Sequence, residues 1–218
     1  MPRRPKIKLI PPELTSKEII STKPVFSLDN TTLIVGVDPG IINIGVCFLK
    51  CLISADDGKN SIFNISFHKI ESSNDENTIF QVAHQFIELL NAKLSVNHIE
   101  KLILTFENYP FLARSKQLFQ TAEIVGGLIT ITKFKFPFLN MIVEKVNPLH
   151  ARVVVGGSKS ENNARRVILN LFRQNNIVQN LSNHEIDAFI VANAYLVDTY
   201  HIGIVKNNIH KIILQTQK

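Results

Sequence analysis

The chain has 218 residues, 45% of them hydrophobic and 14 of them Phe, with a net charge of +6 and a pI near 9.3. That length suits one domain with room for an appended arm, and the apolar fraction excludes a wholly disordered or fibrous chain. No apolar run reaches the ~20 residues that a membrane-spanning helix needs, so no membrane partner is expected, and the basic balance favours a polyanionic partner without identifying it.

Residues 1–29 carry Pro2, Pro5, Pro11, Pro12 and Pro24 and read as an extended, flexible arm. Its basic start, Arg3, Arg4, Lys6 and Lys8, fits a nucleic-acid backbone, a targeting signal or a solvated tail. The rest, 30–218, reads as one globular domain. Leu33–Asp38 is a short apolar run closed by Pro39-Gly40, and Ile44–Ile53 follows it; together they predict a hairpin of buried strands. Cys47 and Cys51, at i and i+4 of the second strand, share a face but sit too far apart to bridge. They read as reduced core thiols, and with the absence of an apolar signal core they predict an intracellular protein.

After the Asp56-Asp57-Gly58 turn, the alternating segment Ser61–Ile70 predicts a third strand. Ile79, Val82, Phe86, Leu90 and Leu94 recur at helical spacing and predict an amphipathic helix over Glu76–Leu94. Leu102–Phe106 is a fourth strand ending in Glu107. A helix follows from Ser115 to about Ile131, with Gly126 and Gly127 weakening its middle. Lys133–Phe138 alternates base and aromatic and reads as a loop or helix end with Phe inward and Lys in water, in preference to a contact for single-stranded DNA. Met141–Val146 is a fifth strand closed by Asn147-Pro148, and helices over Asn162–Gln174 and Asn183–Tyr200 complete the chain. Three hairpin-linked strands followed by alternating helices and strands predict an α/β fold, a five-stranded mixed sheet whose first three strands are antiparallel, flanked by helices.

Asp38 and Glu107 occupy equivalent positions, each the first acid after a short apolar strand. If those strands are parallel neighbours, ~4.8 Å apart, both carboxylates emerge at one sheet edge, close enough to share a divalent cation. In the last helix His184 and Asp187 stand at i and i+3, on one face of the first turn, with Ser182 or Asn183 as cap. The competing reading of Asp187 and Glu185 is stabilisation of the helix dipole.

These segments carry a resemblance. VGVDPGIINIGVCF, TFENYPF and HEIDAFIVA, in that order, resemble the three motifs of the RuvC family of Holliday-junction resolvases, within the ribonuclease-H-like superfamily. Gly126 lies 19 residues after Glu107, where the family helix carries a glycine, and VEKVNPLHARVVVGG resembles the family's fifth strand, proline, basic segment and glycine. The likeness runs from about Leu33 to Val197. It implies a ribonuclease-H-like fold and a metal-dependent endonuclease that resolves four-way DNA junctions as a homodimer. It also implies two Mg²⁺ or Mn²⁺ ions held by Asp38, Glu107, Asp187 and His184. The family's catalytic lysine has no single counterpart here; Lys159, Arg165 and Arg166 are candidates. The register of the family's wedging aromatic falls on Pro110, between Tyr109 and Phe111, either of which is placed to stack on an opened base or in the core. Arg114, Lys116, Arg152, Arg165 and Arg166 are the candidate DNA-backbone contacts. The Ser115–Ile131 helix, with its paired glycines, is the candidate dimer surface. Three other readings stay open at this point: an actin-like or sugar-kinase ATPase domain, whose Asp-Gly turn also follows a strand, a DNA-binding relative that keeps the fold without the chemistry, and a related nuclease for flaps, RNA–DNA hybrids or transposon ends.

Overall fold

The structure, a computed structural model, describes residues 28, 30–53, 62–73, 75, 77–108, 116–174, 180–204 and 212–214. The basic arm, apart from Leu28, the expected turn at Asp56-Asp57-Gly58, and Tyr109, Phe111 and Arg114 lie outside those residues. The elements are β1 (Thr32–Asp38), β2 (Asn43–Ile53), β3 (Ile62–Glu71), α1 (Thr78–Ser95), β4 (Lys101–Glu107), α2 (Lys116–Lys135), β5 (Asn140–Val146), α3 (Pro148–Gly156), α4 (Glu161–Gln174), α5 (Asn183–Tyr200) and β6 (Ile212–Leu214).

The sheet runs β5-β4-β1-β2-β3-β6. β1, β2 and β3 pair antiparallel, as expected, and β4 and β5 add parallel to β1. Beyond the five predicted strands, β6 pairs parallel with β3 at Phe63–Ile65. β1 is central and every residue in it is buried, which is why its sequence is continuously apolar rather than alternating.

The alternation of side chains splits the core in two. Leu33, Val35 and Val37 of β1, with Leu102, Leu104 and Phe106 of β4, pack with Val82, Phe86 and Leu90 of α1 and Ile124 and Leu128 of α2. Ile34 of β1 and Ile103 of β4 pack on the opposite side with Ile168 and Phe172 of α4 and Phe189 and Ala192 of α5. The even-numbered positions of β1 therefore face α5, and Asp38, which ends the strand, shares that parity with Ile34 and Gly36.

α3 is a helix where the sequence predicts only a short basic segment after the fifth strand. Asn147 caps it, its side chain accepting from the backbone N–H groups of Leu149 and His150, and Pro148 fills the first turn. Gly157, at φ 67°, ends it in the left-handed conformation. α2 runs to Lys135, a turn beyond the predicted end. Phe136 is packed inward as expected, but Phe134 and Phe138 are exposed. Both cysteines are free and buried, and burial, with Glu185 nearby, raises the Cys47 thiol well above its ordinary value. No helix among the described residues is long and apolar enough to cross a membrane.

Candidate functional site

β1 and β4 lie parallel, with Val37 beside Phe106, so the next residues along each strand, Asp38 and Glu107, emerge together at one edge of the sheet. The Asp38 residue is only 6% exposed. Burial there leaves its carboxylate dependent on partners inside the protein. One is His184, whose Nδ1 donates to Asp38 Oδ2 at 2.7 Å.

The approach of α5 that makes this contact is set by glycines in the sheet. A Cβ on Gly45, the residue of β2 paired with Asp38, would lie 1.9 Å from the His184 carbonyl oxygen. A Cβ on Gly36 would lie 2.0 Å from the Ala188 oxygen and 2.9 Å from the Ala192 Cβ. The helix backbone thus rests directly on the sheet at two points, with Ala188 and Ala192 as the matching small residues. Its start is fixed by a capping box: the Glu185 carboxylate accepts from the Ser182 N–H at 2.8 Å, and Ser182 Oγ accepts from the Glu185 N–H. Glu185 therefore serves the helix end, while His184 and Asp187, three residues apart, are presented toward the strand edge.

Each of the other two acids meets an arginine. Arg165, on α4, grips Asp187 with both Nε and Nη2, Nε at 3.0 Å from Oδ1. Arg152, on α3, approaches Glu107 Oε1 at 3.5 Å. Glu161, in the first turn of α4, joins them: its Oε1 lies 2.5 Å from Arg165 Nη2 and its Oε2 3.2 Å from Arg152 Nη2. The result is a continuous chain of charge, Glu107–Arg152–Glu161–Arg165–Asp187. The hydrogen bond to Asp38 raises the His184 pKa above its ordinary value, against the opposing effect of burial. Asp187 is also raised: burial outweighs the opposing Arg165 fork.

The structure thus brings together Asp38, Glu107, His184, Asp187, Arg152 and Arg165. Of the three candidates for the catalytic lysine, Arg165 contacts an acid of the site. Lys159 is exposed between α3 and α4, and Arg166 is exposed and donates to Asn163 Oδ1 at 2.7 Å. Lys116 opens α2. The residue that sequence reading missed is Glu161. Its signal was present as Glu161 and Arg165 at i,i+4 on one helix.

Three carboxylates and an imidazole form an oxygen-rich donor set suited to a hard divalent cation such as Mg²⁺ or Mn²⁺. Among the described residues, however, no three His, Cys, Asp or Glu side chains converge closely enough to hold an ion as they stand. Asp38 and His184 are in contact, whereas Glu107 and Asp187 are each engaged by a guanidinium.

No family model matches the chain and no curated protein matches its sequence. Solved structures do. Thermus thermophilus RuvC aligns with a TM-score of 0.56 at 14% identity, over 76% of this chain and 95% of that one. The same protein in complex with a Holliday junction substrate aligns with a TM-score of 0.56 at 12% identity, over the same 76% and 95%. The chain has a RuvC-like fold. The yeast mitochondrial Holliday junction resolvase Ydc2 also aligns, with a TM-score of 0.50 at 12% identity, over 80% of each chain. At such identities what is shared is the RuvC-like architecture: the antiparallel β1-β2-β3 unit, the parallel β4 and β5, and the helices on both faces of the sheet.

Proposed function

We propose that the chain is a divalent-metal-dependent endonuclease that cuts branched DNA, four-way junctions foremost, as a homodimer. The observation that carries this reading is the parallel register of β1 and β4, which sets Asp38 and Glu107 side by side at a sheet edge under the first turn of α5. The RuvC-like fold supports it, one solved relative being described in complex with a Holliday junction substrate.

In this reading Asp38, Glu107, Asp187 and His184 would hold two Mg²⁺ or Mn²⁺ ions, which supply an activated water and charge neutralisation at the departing 3′ oxygen. The chain's own residues do the rest. His184 fixes the Asp38 carboxylate through its Nδ1 hydrogen bond. Arg152 and Arg165 supply cationic donors in fork geometry, suited to a phosphate backbone. The tight seating of α5 on Gly36 and Gly45 keeps the acids from drifting apart.

A four-way junction presents two equivalent strands for cleavage, so one site per chain calls for a two-fold pair. We assign the paired surface to α2. There Phe119 is 67% exposed, and a Cβ on Gly126 would meet nothing within 4 Å. Analytical ultracentrifugation that finds a monomer both free and on DNA excludes the pairing.

The reading is tested by offering the full chain a synthetic four-way junction, a flap, an RNA–DNA hybrid and a linear duplex side by side, with Mg²⁺ and with chelator. The expected result is Mg²⁺-dependent nicking that favours the junction. Asp38→Asn is expected to lower that rate by several orders of magnitude while junction binding persists. Nicking by Asp38→Asn at the normal rate contradicts the assignment.

A further inference from the structure

We propose that Arg152 and Arg165 stand in the place of the divalent cation on Glu107 and Asp187, and that Glu161 is the positioning residue that keeps both arginines at the sheet edge when the cation takes those carboxylates. This rests on the metal-dependent reading above and adds to it a reserve pair of cations and the acid that holds them.

Glu107, Arg152, Arg165 and Asp187 have side chains between 13% and 23% exposed, so an uncompensated charge on any of them is costly. The two guanidinium groups neutralise the two outer acids. A divalent cation on the same carboxylates meets two guanidinium groups already beside them, and like charges so close repel and favour their withdrawal. An arginine displaced into this half-buried edge with no other partner would oppose metal entry.

Glu161 removes that obstacle. Its two oxygens each face a different arginine, Oε1 toward Arg165 and Oε2 toward Arg152. Each arginine therefore keeps one carboxylate when it gives up the other. Glu161 is itself 41% exposed, and Arg152 and Arg165 keep 23% and 17% of their side-chain surface open, the side from which a phosphate would reach their remaining donors. Metal binding and cation release toward the DNA backbone are thus a single exchange.

The test is Mn²⁺ binding to the DNA-free full chain, followed by calorimetry and by the electron paramagnetic resonance of free Mn²⁺. Arg165→Gln removes a competing cation and is expected to tighten Mn²⁺ binding on the order of tenfold. Arg152→Gln should do the same to a smaller degree, its contact with Glu107 being longer. Glu161→Gln is expected to weaken Mn²⁺ binding in the wild-type background and to have no effect when both arginines are already Gln, a coupling that a double-mutant cycle isolates. If Arg165→Gln does not fold, Arg165→Lys, which keeps the charge and loses the fork, is expected to lie between wild type and the Gln prediction. The inference is overturned if removing the arginines leaves Mn²⁺ affinity unchanged or weaker, or if Glu161→Gln weakens binding equally without the arginines. A wild-type chain that binds no Mn²⁺ sinks the nuclease reading itself, and is told apart by that first titration.

Discussion

At the level of single residues, the two best-placed imidazoles of the chain have opposite environments. His184 touches Asp38, which favours its protonated form. His68, on β3, is 6% exposed, lies edge-on to Phe48 at 5.4 Å, and its Nε2 has no hydrogen-bond partner among the described residues. Burial, with the Lys93 charge nearby, lowers its pKa from 6.5 to about 4. The sign follows from linkage: the unfolded chain takes up a proton near 6.5 and the folded chain does not. The stability that His68 supplies is therefore complete above 6.5 and is lost as pH falls toward 4. The loss amounts to about 3 kcal/mol. Urea unfolding of wild type and His68→Gln across pH 4 to 7 checks this: the gap between the two is expected to change through that window, and a constant gap contradicts it.

Among the elements, α5 is the one whose placement decides the site, and its seat on the sheet is steric. Gly45→Ala would drive a methyl into the His184 carbonyl, 1.9 Å away, with backbone rather than a flexible side chain as the obstacle. A cost of about 1–3 kcal/mol is expected by analogy with overpacked cores, together with a loss of cleavage larger than the loss of folded protein, because His184 moves with the backbone. Thermal unfolding beside a nicking assay measures both, and a Gly45→Ala variant of normal stability and rate would show that α5 need not sit so close.

The same elements show what could be read in the sequence. β1, β4 and α5 were legible because burial on both faces leaves continuous apolar runs, and because Asp38, Glu107, His184 and Asp187 interrupt such runs at their ends. The close-approach role of Gly36 and Gly45 was not legible, because a glycine inside an apolar strand looks the same whether or not a helix crosses it. α3 was missed although Asn147-Pro148 is a cap followed by a first-turn proline, because the same dipeptide also closes a strand. Glu161 was missed because its second partner, Arg152, comes from another helix, and pairing across helices leaves no periodic trace.

For the whole molecule, the sheet divides two cores. One, beneath α1 and α2, has only an architectural part in the account and leads to the exposed α2 face. The other, beneath α3, α4 and α5, gathers every charged residue of the site from three helices and two strands. The acids are brought together, from Asp38 to Asp187, by topology rather than by nearness in the chain. Two of the site's cations, Arg152 and Arg165, are held against its acids Glu107 and Asp187.

Whether a divalent cation sits at this sheet edge can be read from anomalous diffraction of crystals of the full chain soaked in Mn²⁺. An anomalous peak is expected between the carboxylates of Asp38 and Glu107, with Arg152 and Arg165 withdrawn onto Glu161. An ordered edge with no Mn²⁺ peak, and with both arginines still on Glu107 and Asp187 at saturating metal, would contradict it.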